Sequence, residues 1–249
     1  MSTLSNRNIK LVDGSPEYVV VEEIGDIQTD GAFEQLLSDL ETYTTTKQTQ
    51  SVSIVLNEQE ATKSKFPQKL KTSGFQLVDS QYFYKRNLAD LPPHDGNVQF
   101  DLKPLKQTSP DLFKRVWQEA SADSLNASFV SVDREFEGMK KELGPGYANS
   151  CLTVFVNDDP VGVTMPQIEP GTTDEGRLFY FGIIPKYRGQ GWGRALHLQS
   201  LHYLRKMGAI YYIGGTGEHN KPMQHIFEAN GCCILEKKYT YKLKQDMKK

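Results

Sequence analysis

The segment Phe179–Leu196, FYFGIIPKYRGQGWGRAL, constrains the fold most strongly, because an apolar strand runs into a glycine-rich turn that opens a helix. Gly189, Gly191 and Gly193 allow the backbone to approach a ligand closely. The first turn of a helix also carries N–H groups without intrahelical partners, and these groups favour negative charge. The pattern therefore predicts an anion cradle suited to a pyrophosphate.

Spacing excludes two other phosphate-binding patterns. The Walker pattern requires Gly-Lys-Ser/Thr, whereas Trp192 follows Gly191. The dinucleotide fingerprint requires a third glycine where Arg194 stands. What remains is Arg-x-x-Gly-x-Gly at residues 188–193, after a short link that contains Pro185. Taken alone, these six residues also suit a helix entered through a flexible turn that binds nothing.

The segment 188–193 resembles the acyl-CoA pyrophosphate loop of the GCN5-related N-acetyltransferase (GNAT) family. The order downstream is similar to that family too: an amphipathic helix at 191–207, a strand at 209–213 and a helix that begins at Asn220 and ends at Gly231. The resemblance implies an α/β fold built on a mixed sheet, with acetyl-CoA as co-substrate and no metal.

Residues upstream of the loop supply the remaining elements of an acetyltransferase-sized domain. Ser109 and Pro110 suit the cap and first position of a helix, and apolar residues follow at helical spacing. We therefore predict a catalytic GNAT domain at 98–249. Its further predicted elements are a strand at 98–105, a helix at 131–143, a hairpin of strands 152–156 and 161–165, and a closing strand or hairpin at 232–243.

A weaker signal appears when the chain is compared with itself at an offset of 157 positions. It indicates a tandem arrangement: a partial, degenerate GNAT-like N-terminal domain at 1–90 and a linker at 91–97, marked by Pro-Pro and Asp-Gly. The first copy lacks the glycine loop, so we expect it not to bind CoA. The alternative is that there was no duplication, because any segment made of a strand, a helix and a hairpin resembles any other such segment. The coincident pairs are Gly74 with Gly231, Tyr82 with Tyr239, Tyr84 with Tyr241 and Lys85 with Lys242.

Composition bounds the possible partners. The 249 residues carry 29 basic and 31 acidic side chains, so no overall field attracts nucleic acid or an anionic membrane. No apolar run suits a membrane span or a signal peptide, and we expect a cytoplasmic protein. Three cysteines and five scattered histidines indicate reduced thiols and no metal site. The oligomeric state is left open, with a homodimer as one option.

The resemblance assigns acyl-CoA contacts residue by residue. The backbones of Phe181, Ile183 and Ile184 would hold the acyl arm. Asn220 would contact the pantetheine, with helix capping as its alternative role. The pyrophosphate would lie on Arg188, Gly189, Gln190, Gly191, Trp192 and Gly193.

The proton donor departs from the family pattern. Phe227 stands seven residues after Asn220, where many members place a Tyr against the acyl-CoA to protonate the thiolate. A phenyl ring cannot donate a proton. Either Tyr187, Tyr212 or His219 serves instead, or the CoA thiolate departs without a protein acid.

The general base is also unsettled. Strand alternation would place Glu175 on one face with Arg177, Phe179 and Phe181. Family bases commonly lie near Arg177 or Phe179, and neither residue accepts a proton usefully. Glu175 is therefore the first candidate, with a solvated surface charge as its alternative role. The second candidates are Glu218 and His219, beside Asn220.

Two functions fit these observations. The first is an acetyl-CoA-dependent N-acetyltransferase that acetylates the amine of a small molecule by direct attack in a ternary complex, since Cys232 has no evident activating neighbour. The second is a non-catalytic acyl-CoA-binding or regulatory module, motivated by Phe227 and the missing base. A protein-directed transferase ranks below both, because no acidic tract suits a basic protein substrate.

Overall fold

The computed structural model describes residues 9–93, 98–124 and 131–244. These residues form two compact units. The first unit holds the described residues up to Phe83 together with those from Leu235 onward, and the second holds Tyr84–Ile234. The division therefore falls within two strands, whereas the sequence predicted domains at 1–90 and 98–249. The predicted domain boundaries refer to the two copies of the repeat, and they stay a prediction.

In the first unit, β1 pairs antiparallel with β2, β2 pairs parallel with β3, and the last strand of the chain pairs antiparallel with β3. Helix α1 buries Phe33, Leu36 and Leu40 against this sheet. The elements are β1 Lys10–Gly14, β2 Tyr18–Glu22, α1 Asp30–Thr46, β3 Ser51–Asn57, α2 Glu58–Lys63, α3 Phe66–Thr72 and β4 Gln76–Asn87.

The second unit has a mixed sheet in which three antiparallel pairs are followed by one parallel pair. Its strand order runs β9, β8, β7, β6, β5. The elements are β5 Asp101–Pro104, α4 Pro110–Ser121, α5 Val132–Leu143, α6 Tyr147–Ser150, β6 Leu152–Val156, β7 Asp159–Ile168, β8 Glu175–Ile183, α7 Trp192–Lys206, β9 Tyr211–Gly217 and α8 Lys221–Ala229. The last strand, β10 Cys233–Lys244, begins in this unit, but its residues from Leu235 onward belong to the first unit.

Helices cover both faces of this second sheet. On one face, Phe113 and Trp117 of α4 pack with Val163 and Met165 of β7. On the other, Leu196 of α7 packs with residues of β6, β7 and β8. The mixed α/β architecture predicted from the sequence is confirmed, and so are the Ser109 cap of α4 and the apolar face that follows it. No helix among the described residues is both long and apolar enough to cross a bilayer.

The predicted repeat is visible in the elements themselves. At the offset of 157 positions the bounds of β4 and β10 coincide. Each strand follows a short helix and a glycine with positive φ, Gly74 at 85° and Gly231 at 73°. Both units also contain a parallel strand pair, β2 with β3 and β8 with β9. The tandem arrangement therefore has a structural counterpart in each unit.

Two predicted strands have limits that differ in the structure for local reasons. The strand expected at 98–105 is shorter, because Leu105 already belongs to a 3₁₀ turn that leads to α4. The strand expected at 209–213 is β9, which begins at Tyr211 and extends to Gly217. Its glycines, Gly214 and Gly215, favour a turn in sequence terms, but here they continue the strand.

Candidate functional site

The glycine loop opens α7 without a side-chain cap. Gly189 and Gly191 have φ values of 79° and 78°, a region that favours glycine, and Gly191 is the N-cap residue. The first intrahelical bond of α7 runs from Ala195 N–H to the Gly191 carbonyl at 3.2 Å, so the N–H groups before it have no intrahelical acceptor. No acidic residue stands in this first turn, while Arg194 is exposed there. The loop therefore presents a positive, uncapped helix end.

The third loop glycine has a different role. A Cβ at Gly189 or Gly191 would meet nothing within 4 Å, whereas a Cβ at Gly193 would lie 3.0 Å from Ile226 Cδ1. Gly193 thus permits close packing of α7 against α8. The first two glycines serve the backbone conformation and leave open space above the loop.

Arg188 anchors the loop through carbonyl groups. Its Nε donates to the Ile183 carbonyl at 2.9 Å, and Nη2 donates to the carbonyls of Ala120 and Ala122, both at 2.9 Å. The guanidinium therefore ties the loop to the end of β8 and to the C-terminal end of α4. Its fixed donor geometry suits several acceptors at once, which a Lys could not match.

The strand pair below the loop separates early. Within the described strands, the parallel register of β8 and β9 covers Glu175 with Tyr211 and Gly176 with Tyr212, and goes no further. From Arg177 to Ile183, β8 pairs only with β7 on its other side. Backbone groups along this edge of β8 are therefore available to a ligand that enters between the strands. The opening therefore begins at Arg177.

A β-bulge in β8 changes which side chains share a face. The β7–β8 register shifts between Thr164–Phe181 and Pro166–Leu178. Phe179 and Tyr180 consequently both pack beside Trp117 of α4, at 6.4 and 5.9 Å between ring centroids. Phe181 instead lies against His197 of α7, at 5.2 Å. The predicted common face for Phe179 and Phe181 is therefore wrong, because the bulge interrupts the alternation.

Two of the backbone groups predicted to hold the acyl arm already have partners. The Ile184 N–H donates to the Val161 carbonyl at 2.9 Å, and the Ile183 carbonyl accepts from Arg188. Ile183 and Ile184 are both buried. Phe181, one step closer to the bulge, lies on the unpaired edge. Its role in binding the acyl arm stays a prediction.

Glu175 is held at the closed end of the opening. Its Oε1 accepts from Arg177 Nε at 2.6 Å, and its Oε2 accepts from the Tyr211 hydroxyl at 3.0 Å. The hydrogen bond to Glu175 raises the pKa of Tyr211. Glu169 lies 3.8 Å from Arg177, so two carboxylates share one guanidinium. A carboxylate can accept about four hydrogen bonds, so Glu175 retains sites for water or an ammonium group.

The other candidates for proton transfer lie at the opposite end of β8. Tyr187 belongs to the 3₁₀ turn before the loop, where its ring stacks on Trp192 at 5.5 Å. Glu218 and His219 follow the carboxyl end of β9, which runs parallel to β8. Eight residue steps along β8 correspond to about 26 Å. The structure therefore does not bring Glu175 together with these three residues.

Asn220 caps α8. Its Oδ1 accepts from the Met223 N–H at 3.3 Å, which is the capping role weighed against pantetheine binding. The side-chain amide N–H groups are not used by that bond. Contact with pantetheine therefore stays a prediction for the amide nitrogen alone.

Phe227 lies in an aromatic cluster rather than at the surface. It is 2% exposed, and its ring lies 5.1 Å from His197, 5.1 Å from Tyr84 and 6.1 Å from Tyr212. The ring occupies apolar space beside the closed end of the opening. Its assignment as an acyl-CoA contact stays a prediction.

The acetyltransferase (GNAT) family model matches residues 112–232. This span includes the bulged β8, the uncapped glycine loop and the helices α7 and α8 that follow it. The chain carries a GNAT acetyltransferase domain.

Curated relatives of the GNAT domain are acetyltransferases. The chain is 27% identical to the mycothiol acetyltransferase of Thermobifida fusca over 164 residues, which are 66% of this chain and 43% of that protein. It is 26% identical over 119 residues to N-alpha-acetyltransferase 30 of Schizosaccharomyces pombe, covering 42% of this chain and 79% of that protein. The match thus spans less than half of the mycothiol acetyltransferase.

Solved structures share the fold over nearly the whole chain. A GCN5-related N-acetyltransferase from Sphaerobacter thermophilus has a TM-score of 0.66 at 15% identity, covering 95% of this chain and 76% of its own. A tandem GNAT protein from the clavulanic acid biosynthesis pathway has a TM-score of 0.62 at 15% identity, covering 97% and 79%. The GNAT fold and the tandem arrangement predicted from the sequence are therefore confirmed.

Sequence reasoning missed three buried polar residues of the GNAT domain, Thr153 on β6, His197 on α7 and Thr216 on β9. Their exposed fractions are 0%, 0% and 2%, and Thr153 Oγ1, His197 Nε2 and Thr216 Oγ1 have no hydrogen-bond partner among the described residues. Buried polar atoms are normally paired, so unpaired ones point to a ligand or to water. In the sequence, the available signal for His197 was a single His within an otherwise apolar stripe of the predicted helix.

The two buried cysteines, Cys151 and Cys232, are poorly suited to act as nucleophiles. Burial raises the pKa of Cys232 to about 12, and also that of Cys151 to about 12. Thiols with such pKa values remain protonated near neutral pH. Among the described residues, no group of three or more His, Cys, Asp or Glu side chains suits a metal ion.

Proposed function

We propose that the second unit is an acetyl-CoA-dependent N-acetyltransferase that acetylates the amine of a small molecule. The observation that carries this proposal is the early separation of β8 from β9 below an uncapped, positive helix end. The helix end would bind the pyrophosphate, and the opening would admit the acyl arm to the free edge of β8. Membership in the GNAT family supports the same assignment.

Transfer would proceed by direct attack. The amine nitrogen forms a bond to the thioester carbonyl carbon, the carbon–sulfur bond then breaks, and CoA leaves as the thiolate. Glu175, acting through water, would first take a proton from the acceptor ammonium, so that the neutral amine attacks; the second proton, which the nitrogen loses as the amide forms, passes to solvent or to the departing CoA thiolate. The high pKa of Cys232 argues against an acyl-enzyme intermediate.

Charge near Glu175 supports an amine acceptor. Glu169 and Glu175 share Arg177, so these three side chains together carry one net negative charge. A carboxylate in this position attracts an ammonium group and can accept its proton. The neutral overall balance of the chain favours a small acceptor over a highly basic protein.

The first unit is proposed as a degenerate copy without acyl-CoA. Its corresponding helix α1 is capped by Thr29, whose hydroxyl accepts from the Ala32 N–H at 3.2 Å. Its strands β2 and β3 stay paired from Val19 to Val21, through the centre of β2. Both features that would receive acyl-CoA in the second unit are therefore closed in the first.

A non-catalytic acyl-CoA-binding module is the second candidate, and Phe227 in place of a proton donor favours it. Calorimetric titration with acetyl-CoA, combined with a thiol assay over polyamines, amino acids and aminoglycosides, separates the two. Binding with amine-dependent CoA release supports the transferase. Binding without release with every amine supports the second candidate. Absence of binding refutes both, and Gly191→Asp supplies the matched variant expected not to bind.

A further inference from the structure

We infer that His197 donates a hydrogen bond from its Nε2–H group to the sulfur of CoA bound between β8 and β9. The inference rests on the proposed function and names a group that stabilises the leaving thiolate in a domain that carries Phe227 instead of Tyr. His197 was not among the candidates drawn from the sequence.

Asn230 fixes the tautomer of His197. The Asn230 amide Nδ2 donates to the Arg194 carbonyl at 3.0 Å, which identifies this atom as the nitrogen of the amide. The same Nδ2 lies 2.9 Å from His197 Nδ1, so Nδ1 must accept and carries no proton. In the neutral ring the proton is then on Nε2.

The Nε2–H group is a buried donor without an acceptor. His197 is fully buried, and its Nε2 has no hydrogen-bond partner among the described residues. Native structures normally avoid an unpaired buried donor, because its lost hydration is not replaced. Since Nε2 has no accessible surface in this structure, the CoA sulfur would have to displace the rings beside it, and would then supply the missing acceptor. Burial also lowers the pKa of His197 to about 3, so the ring is neutral at physiological pH.

The position of the ring matches the reacting end of the ligand. His197 lies 5.2 Å from Phe181 on the free part of β8 and 5.3 Å from Tyr212, the last residue of β9 that pairs with β8. It therefore lies at the closed end of the opening. With the pyrophosphate on the loop, the pantetheine arm would extend toward this end, and the thioester at the tip of the arm would lie there.

The chemistry is hydrogen bonding without proton transfer. A neutral imidazole is a far weaker acid than a thiol, whose pKa is about 8.5, so the Nε2 proton stays on the ring. A preorganised donor in a dry site nonetheless stabilises charge as it develops on sulfur. Phe227 beside it keeps that site apolar, which strengthens the interaction.

Calorimetry with CoA and desulfo-CoA at pH 9 tests the contact without any acceptor amine. The two probes differ only in the sulfur, and at this pH most of the CoA is thiolate. We expect the wild-type protein to bind CoA about tenfold more tightly than desulfo-CoA. His197→Phe, which keeps a ring but removes the donor, should bind both probes with the affinity that the wild type shows for desulfo-CoA.

Two further variants separate the donor from the packing of the ring. His197→Gln retains an N–H group near the position of Nε2 and should keep most of the preference for CoA. Asn230→Asp would accept from Nδ1–H, move the proton away from Nε2 and abolish the preference. The desulfo-CoA affinity of each variant reports whether the site still folds.

The outcomes distinguish the inference from the proposed function. If the wild type binds neither probe, both fail. If it binds both probes equally, or if His197→Phe keeps the preference for CoA, the sulfur contact is refuted and the proposed function stands. A variant that no longer binds desulfo-CoA gives no information on the sulfur contact. In that case the carbon-13 chemical shifts of the His197 imidazole in the wild-type protein are measured instead, and a ring without the proton on Nε2 refutes the inference.

Discussion

Charge at Gly191 offers the sharpest test of the anion cradle. Replacement by Asn or Asp introduces side chains of nearly equal size, and both residues tolerate positive φ better than most others. The φ of 78° at Gly191 should cost each variant about 1 kcal/mol of folding free energy. Because a Cβ there meets nothing within 4 Å, no steric difference between the variants is expected in the unliganded protein.

The affinities of these variants should differ strongly. A carboxylate about 5 Å from one phosphate charge, at an effective dielectric constant of about 20, contributes about 3 kcal/mol of repulsion. Gly191→Asp should therefore bind acetyl-CoA roughly 100-fold more weakly than Gly191→Asn. Calorimetry at low salt measures the ratio, which should shrink at high ionic strength. Equal affinities for the two variants, with both folded, would refute the placement of the pyrophosphate on this loop.

Three further predictions concern stability and the reaction path. Burial lowers the pKa of His197 from 6.5 to about 3, so the unfolded chain binds the extra proton between those values and stability falls as the pH drops through that window. Chemical denaturation should show a contribution of about 1.4 kcal/mol per pH unit that His197→Phe lacks; an unchanged slope contradicts the burial. Arg188→Ala removes three hydrogen bonds to carbonyls, so it should lower the unfolding free energy by about 1–2 kcal/mol and weaken acetyl-CoA binding. Unchanged stability and affinity would show that the loop keeps its conformation without Arg188. Cys232→Ala should keep CoA release within a few fold, and loss of release from the folded variant would point to an acyl-enzyme.

Elements with a strong local signal were predictable from the sequence. Helix α4 follows its Ser109 cap and Pro110, and β6 has the predicted bounds. The glycine loop was also predictable, because positive φ and an uncapped helix end depend on adjacent residues. Such features follow from backbone propensities within a few positions of each other.

Features that depend on distant residues were not predictable. Arg188 meets the carbonyls of Ala120 and Ala122, which only the tertiary fold brings near. The bulge at Phe179 and Tyr180 appears when β8 pairs with β7, so strict alternation misplaced Phe179. His197 was only one of five scattered histidines in the sequence, since its pairing with Asn230 joins α7 to the end of α8 and depends on the tertiary fold.

The pairing of β10 with β3 determines when the first unit can form. Leu56 pairs with Tyr239, so the sheet of the unit encoded first includes residues from the end of the chain. During translation, β3 leaves the ribosome long before its partner strand is made. Its edge then stays unpaired, a state that favours association with other chains. The first unit is therefore completed only after the residues of the second have been synthesised, and chaperone protection of this edge during synthesis follows as an expectation.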